Sequence, residues 1–211
     1  METIEEIAQY DRQIRLWGMN AQILLKKSSV LLINMSPATA EVAKNITLCG
    51  VKRLSLFDNR KSSFCSFLDS FTDKNQTAAD ASIPRVALLN PRVIVDSIPE
   101  LDFTDVEFFK AYTIVVLFDA GIDQINTINQ SCRSANVKFI SCVSSGLYGF
   151  FYSDLIDHRY ITFVCINLVK IKKRVSKLKV SRHFKTLLIL ATLHQCLKSN
   201  LAENYHLIFL Q

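Results

Sequence analysis

Arg12 lies in the stretch Tyr10-Asp11-Arg12-Gln13-Ile14-Arg15-Leu16-Trp17-Gly18, and its surroundings rather than its type make it a candidate for chemistry. Read as a helix, the stretch puts Tyr10, Ile14 and Trp17 at i, i+4 and i+7 on one apolar face, with Gly18 as the stop. Asp11 sits one turn before Arg15 and can pair with it. Arg12 has Ala8 and Leu16 four residues away and Gln9 and Arg15 three away, so no acid on its own helix can hold it. Such a guanidinium is either one more solvated charge or a cation that reaches elsewhere.

A second candidate is defined by what it lacks. Val30-Leu31-Leu32-Ile33 suits a strand buried on both faces. Glu41 to Leu48 reads as a helix closed by Gly50, with Val42, Ile46 and Cys49 on one side. Lys52 to Asp58 then reads as a second strand, completing a βαβ unit of the length used for nucleotide binding. The turn after the first strand of such a unit wants glycines, so that backbone N–H groups approach the phosphates. Asn34 to Ala40 contains none, Pro37 has no N–H, and the side chains of Met35, Ala38 and Thr39 occupy space a ligand would need. The expectation is a degraded loop that does not hold ATP. Asp58 stands where a carboxylate would bind ribose hydroxyls, and is read here as a remnant or as a cap for the following turn.

Asp119 and Asp123 follow the strand Thr113 to Phe118, at the edge where open sheets bind ligands. With nothing to hold a nucleotide, they are expected to cap the next helix rather than to bind magnesium. The six cysteines form no Cys-x-x-Cys pair and have no histidine at zinc-ligand spacing, so reduced thiols and no metal site are expected. His158, His183, His194 and His206 lie late in the chain, and no serine or cysteine stands in a recognisable nucleophile motif.

These residues require a particular scaffold. Met19 to Lys27 continues the N-terminal helical segment (residues 1–27). Ala78 to Leu89 is helical, with Pro84 starting or kinking it, and Asn90-Pro91 ends it before the strand Arg92 to Ser97. Asp105 to Lys110 is a short helix, Asp123 to Ala135 a helix with Ile125, Ile128 and Cys132 facing in, and Val137 to Cys142 a strand. Ser144 to Phe151 supports a turn into an edge or antiparallel strand, and Asn59 to Thr77 a long loop. This alternation argues for an α/β domain over residues 28–165, a mostly parallel sheet flanked by helices.

The chain has 211 residues, 49% of them apolar, enough for one substantial core. Its formal charge of +6 is local: eight of the 25 basic residues fall between Lys170 and Lys185, and the remaining 17 face 19 acids. No general nucleic-acid surface is indicated. The tail, residues 166–211, comprises the basic segment and an apolar run, Thr186 to Leu197, too short to span a bilayer as a helix. With Ile171, Val175 and Leu178 at helical spacing, the basic segment is an amphipathic helical face, a nuclear import signal, or a membrane or nucleic-acid contact. The acidic Met1 to Glu6 is not a secretory signal, so a nuclear or cytoplasmic address is expected.

In its order of residue types, Tyr10 to Gly18 with Ala21 and Gln22 resembles the opening signature of the activating enzymes for ubiquitin and its relatives, the ThiF-like family. The resemblance is strongest to the smaller, non-catalytic subunits that serve SUMO. Leu89-Asn90-Pro91 and the glycine-aromatic pattern from Ser144 to Phe151 also match, and the likeness covers about Ala8 to Ile161. It implies a Rossmann-like fold that binds no cofactor itself. It also implies a catalytic large subunit that holds ATP and magnesium, adenylates the SUMO-like modifier and captures it as a thioester. Arg12 is then an arginine finger supplied in trans. The regulatory subunit of the neddylation pathway, a self-sufficient adenylating enzyme and a truncated binding module remain as alternatives.

Overall fold

The computed structural model describes residues 4–61, 76–145, 148–161 and 175–179. Three short helices come first: α1 (Ile4–Gln9), α2 (Asp11–Trp17) and α3 (Met19–Leu25). Strands and helices then alternate as β1 (Ser29–Ile33), α4 (Pro37–Cys49), β2 (Arg53–Phe57), α5 (Ala78–Leu89), β3 (Ile94–Ser97), α6 (Val106–Phe109), β4 (Ile114–Phe118), α7 (Ile122–Ser134), β5 (Lys138–Ser145) and β6 (Tyr148–Asp154). A separate antiparallel pair joins β7 (Asp157–Ile161) to β8 (Val175–Lys179).

The main sheet has the order β3-β2-β1-β4-β5-β6, its first five strands parallel and β6 antiparallel on the edge. Leu32, Leu54 and Leu56 face α4 and α5, packing with Ala40, Ala43, Ala79 and Val86. Leu31, Ile33, Val115, Leu117 and Phe139 face the other way, packing with Phe109, Ile125, Ile128 and Cys132. Both faces are thus covered, which is why β1 reads as an unbroken apolar run. Strand order reverses between β1 and β4, so the crevice where such sheets bind ligands lies above the carboxyl ends of those two strands.

Several expected boundaries shift for local reasons. α4 begins at Pro37 rather than Glu41, because Ser36 and Thr39 form a reciprocal capping box and Pro37 occupies the first helical position, where no N–H is needed. Its buried face is Ala40, Ala43 and Thr47, with Val42 and Ile46 only partly buried. α5 runs through Pro84 without a break. β3 starts at Ile94, two residues later than the sequence suggests. Val175–Lys179 is a strand, contrary to the helical spacing read there. The rest of the basic segment, residues 62–75 of the loop expected from Asn59 to Thr77, and the run from Thr186 to Leu197 lie outside the described residues.

The N-terminal motif also differs from a single amphipathic helix. Tyr10 is the turn between α1 and α2, where it is the N-cap of α2 and its carbonyl accepts from Ile14 N at 2.9 Å. It is buried, its hydroxyl accepts a 2.8 Å bond from Asn90 Nδ2, and its ring packs against Gly50. Gly50 is the left-handed residue that ends α4, at φ 78°. Three carbonyls at that helix end take side-chain donors. Asn90 Nδ2 donates to Thr47 O at 2.9 Å, Gln22 Nε2 to Cys49 O at 3.2 Å and Gln13 Nε2 to Leu48 O at 3.4 Å. The motif therefore acts as a C-terminal cap for α4 supplied from elsewhere in the chain.

A Cβ at Gly50 would stand 2.5 Å from the Tyr10 hydroxyl oxygen and would be carried on a left-handed backbone. Gly50→Ala is therefore expected to cost about 1–3 kcal/mol, read as a lower urea midpoint at unchanged slope. Part of that loss should vanish in a Tyr10→Ala background, where the clash is gone; a fully additive pair would mean that Tyr10 does not seat on Gly50.

Candidate functional site

The crevice above β1 and β4 is lined by the loop after β1, by Asp58 at the end of β2 and by Asp119 at the end of β4. Asn34 adopts a left-handed backbone, φ 67°, and its side-chain Nδ2 donates across the crevice to Phe118 O at 2.9 Å. This bond ties the β1 end directly to the β4 end. Met35 N donates to Asp58 Oδ2 at 2.7 Å, Ser36 N to Thr39 Oγ1 at 3.2 Å and Thr39 N to Ser36 Oγ at 3.3 Å. Thr39 Oγ1 donates in turn to Asn34 O at 2.7 Å. With Pro37 lacking an N–H, most of the donors a phosphate would use are engaged within the loop or by the end of β2. Thr39, expected to intrude on ligand space, is instead fully buried and acts by hydrogen bonding.

Asp58 is 2% exposed and accepts from four directions. Besides Met35 N, it takes Arg60 N at 2.9 Å, Arg60 Nε at 3.0 Å and the terminal Arg60 nitrogen at 2.7 Å. The same terminal nitrogen donates to Met35 O at 2.9 Å. Asp58 thus does cap the following turn, and in addition clasps the loop after β1 to the end of β2. Arg60 is the crevice residue that sequence reasoning passed over; its position two residues after Asp58 was the available signal.

Asp119 and Asp123 do not cap α7. That helix starts at Ile122 with Gly121 as its N-cap and no side-chain bond. Asp119 turns through φ 46° and accepts from Ser144 N at 2.8 Å, fastening the turn after β4 to β5. Asp123 lies in the first helical turn, where its charge favours the positive end of the dipole.

Arg12 is separated from this crevice. Its neighbour Gln13 reaches the C-terminal end of α4, whereas the crevice lies at the N-terminal end of that 13-residue helix, about 20 Å away. Arg15 pairs with Asp11 at 3.0 Å, but Arg12 is exposed and has no hydrogen-bond or ion-pair partner among the described residues. Around it, Leu16 is 71% exposed, Trp17 42% and Leu24 66%, with Met19, Ile23 and Leu48 also exposed.

Among the described residues no group of histidine, cysteine and acidic side chains could hold a metal ion, and no helix is long and apolar enough to cross a membrane. Burial pushes the Cys132 thiol up to about 12 and Cys142 to about 11, and raises Cys49 as well. These thiols are held neutral and are poor nucleophiles. Cys65, Cys165, Cys196, His183, His194 and His206 lie outside the described residues.

No family model matches the chain. SUMO-activating enzyme subunit 1 of Xenopus tropicalis is 38% identical over 162 residues, which is 74% of this chain and 47% of that protein. The Dictyostelium discoideum protein of the same name is 35% identical over 175 residues, 81% of this chain and 53% of its own. The DNA damage tolerance protein rad31 of Schizosaccharomyces pombe is 36% identical over 177 residues, 80% of this chain and 57% of that one. The chain spans about half the length of the curated relatives it matches. Among solved structures, E. coli MccB with succinimide superposes with a TM-score of 0.61 at 20% identity, covering 68% of this chain and 47% of that chain. PaaA gives 0.60 at 19%, covering 72% and 56%. At such identities the likeness is one of fold, a Rossmann-type α/β domain.

Two outcomes follow from this geometry. Arg60→Ala withdraws the charged donors from a buried carboxylate and is expected to destabilise by about 1–3 kcal/mol, whereas adding Asp58→Ala should cost less than the sum of the two single changes. Additive losses in a denaturant-melt cycle would show that the clasp is not a unit. Burial raises the folded Cys132 and Cys142 thiols above the unfolded value of 9.0, so as pH rises the unfolded chain loses these protons first. Their stabilising contribution is complete below pH 9 and is lost as pH climbs toward 11 and 12. Midpoints measured across that range in the wild type and a Cys132→Ala variant should converge as pH rises.

Proposed function

We propose that this chain, a homologue of SUMO-activating enzyme subunit 1 across three quarters of its length, is the non-catalytic subunit of a heterodimeric, ATP-dependent SUMO-activating enzyme. In this reading the catalytic partner holds ATP and magnesium, adenylates the carboxyl terminus of the modifier and takes it onto a cysteine. This chain stabilises the partner's fold and lends Arg12 to the partner's ATP site. A planar, permanently charged guanidinium suits that task, because it can place two N–H groups against the developing charge on phosphate oxygens.

The observation that carries this reading is the separation of Arg12 from its own chain's crevice. Arg12 is an exposed arginine at the far end of α4 with no partner among the described residues, and the apolar side chains of Leu16, Trp17 and Leu24 beside it are what an interface would cover. The occupied amides after β1 and the clasped Asp58 support the view that this subunit leaves nucleotide chemistry to the other. They also weigh against the self-sufficient adenylating enzyme. The names of the relatives favour SUMO over the neddylation pathway.

Mixed with the SUMO-activating large subunit, the purified chain is expected to co-elute with it and to support modifier thioester formation. Arg12→Ala should leave co-elution intact while slowing ATP–pyrophosphate exchange by on the order of 10³. Arg12→Lys should recover little of this, since a lysine lacks the fork. Unchanged exchange in the Arg12→Ala complex would remove the finger from the account, and co-elution without any thioester would leave a binding module instead.

A further inference from the structure

Arg12 is carried on a helix that has little of its own to hold it in place. α2 is seven residues long with none of them buried, and the side-chain bond from Gln13 Nε2 to Leu48 O is long, at 3.4 Å. An isolated helix of that length does not persist in water. Its anchor is the residue just before it. Tyr10 is buried, and its carbonyl accepts from Ile14 N at 2.9 Å, so the turn that contains Arg12 is built directly onto the backbone of an immobilised side chain.

Tyr10 is fixed in turn by Asn90, a buried amide that ends α5. Asn90 Nδ2 donates both to the Tyr10 hydroxyl at 2.8 Å and to Thr47 O, in the last turn of α4, at 2.9 Å. Its Oδ1 accepts from Arg92 N at 3.2 Å. Two donors and one acceptor lie in the plane of an amide, and meeting all three partners at once leaves the side chain a single orientation. The Tyr10 hydroxyl therefore meets a donor whose direction is set by α4 and by the turn before β3. We infer that Asn90 is a positioning residue for Arg12, acting through the Tyr10 hydroxyl. The inference rests on the arginine-finger reading above and adds to it the group that aims the finger. A guanidinium that must meet developing charge in another subunit works only within a narrow range of positions, and a displacement of about 1 Å costs on the order of 10²-fold.

The test is ATP–pyrophosphate exchange by the full chain assembled with the SUMO-activating large subunit. Tyr10→Phe keeps the ring on Gly50 and leaves Thr47 O its donor, removing only the acceptor that Asn90 holds. It is expected to lower kcat by roughly tenfold, and Asn90→Ala by about 10²-fold, with KM for ATP and co-elution unchanged. The deciding measurement is Tyr10→Phe in an Arg12→Ala background. A residue that works only through Arg12 has nothing left to position there, so the double variant should exchange at the rate of Arg12→Ala alone. An equal fall in both backgrounds would overturn the positioning role. So would rates unchanged by Tyr10→Phe while Arg12→Ala slows exchange, a result that leaves the finger standing. No effect of Arg12→Ala would remove both readings. If Asn90→Ala does not fold, the Tyr10→Phe pair decides alone.

Discussion

The carbonyls at the end of α4 set the position of everything before β1. A helix leaves its last carbonyl groups without intrahelical partners, and where that end is covered by protein rather than water, donors must come from elsewhere. Here Gln13, Gln22 and Asn90 supply them, and Tyr10 fills the space that Gly50 leaves by having no side chain. The N-terminal helices are short, six or seven residues each, and could not persist alone. Their order derives from this docking, so Arg12 is held at a defined place although it has no bond of its own among the described residues.

α4 thus has two ends with different chemistry. At its start the dipole's positive end, which in a working nucleotide fold would face phosphate, is enclosed by Ser36, Thr39 and Asp58. At its finish the negative end is met by amide donors from Gln13, Gln22 and Asn90. One element therefore both lines the crevice above β1 and β4 and docks the N-terminal motif, at its two opposite ends.

The fold was readable wherever burial leaves a local pattern. The run from Val30 to Ile33, the inward Ile125, Ile128 and Cys132, and the alternation of strand with helix all follow from a sheet covered on both faces. What sequence did not reveal was conformational or non-local. The break at Tyr10 interrupts an otherwise good helical period, and its partner Asn90 lies 80 residues away. The left-handed turn at Asp119 redirects a carboxylate that looked like a cap toward Ser144. The early start of α4 was legible in principle, because Ser36-Pro37 with Thr39 is itself a helix-start signal, but the absence of glycine drew the reading toward a loop. In the crevice, the absence of glycine was visible while the bonds the loop makes among its own side chains were not.

Asn34 shows how closely the parts of this loop depend on one another. Its left-handed backbone is a conformation glycine would adopt at no cost, so a glycine there looks easy to accommodate. Yet its side chain is the bridge from β1 to β4, Asp58 already has a resident counterion in Arg60, and Ser36 and Thr39 satisfy each other. Each replacement makes sense only in the presence of the rest, so any single step back toward an open loop removes a buried hydrogen bond before it creates a ligand contact. The loop after β1 therefore changes as a unit or not at all, and the crevice it lines inherits that stiffness.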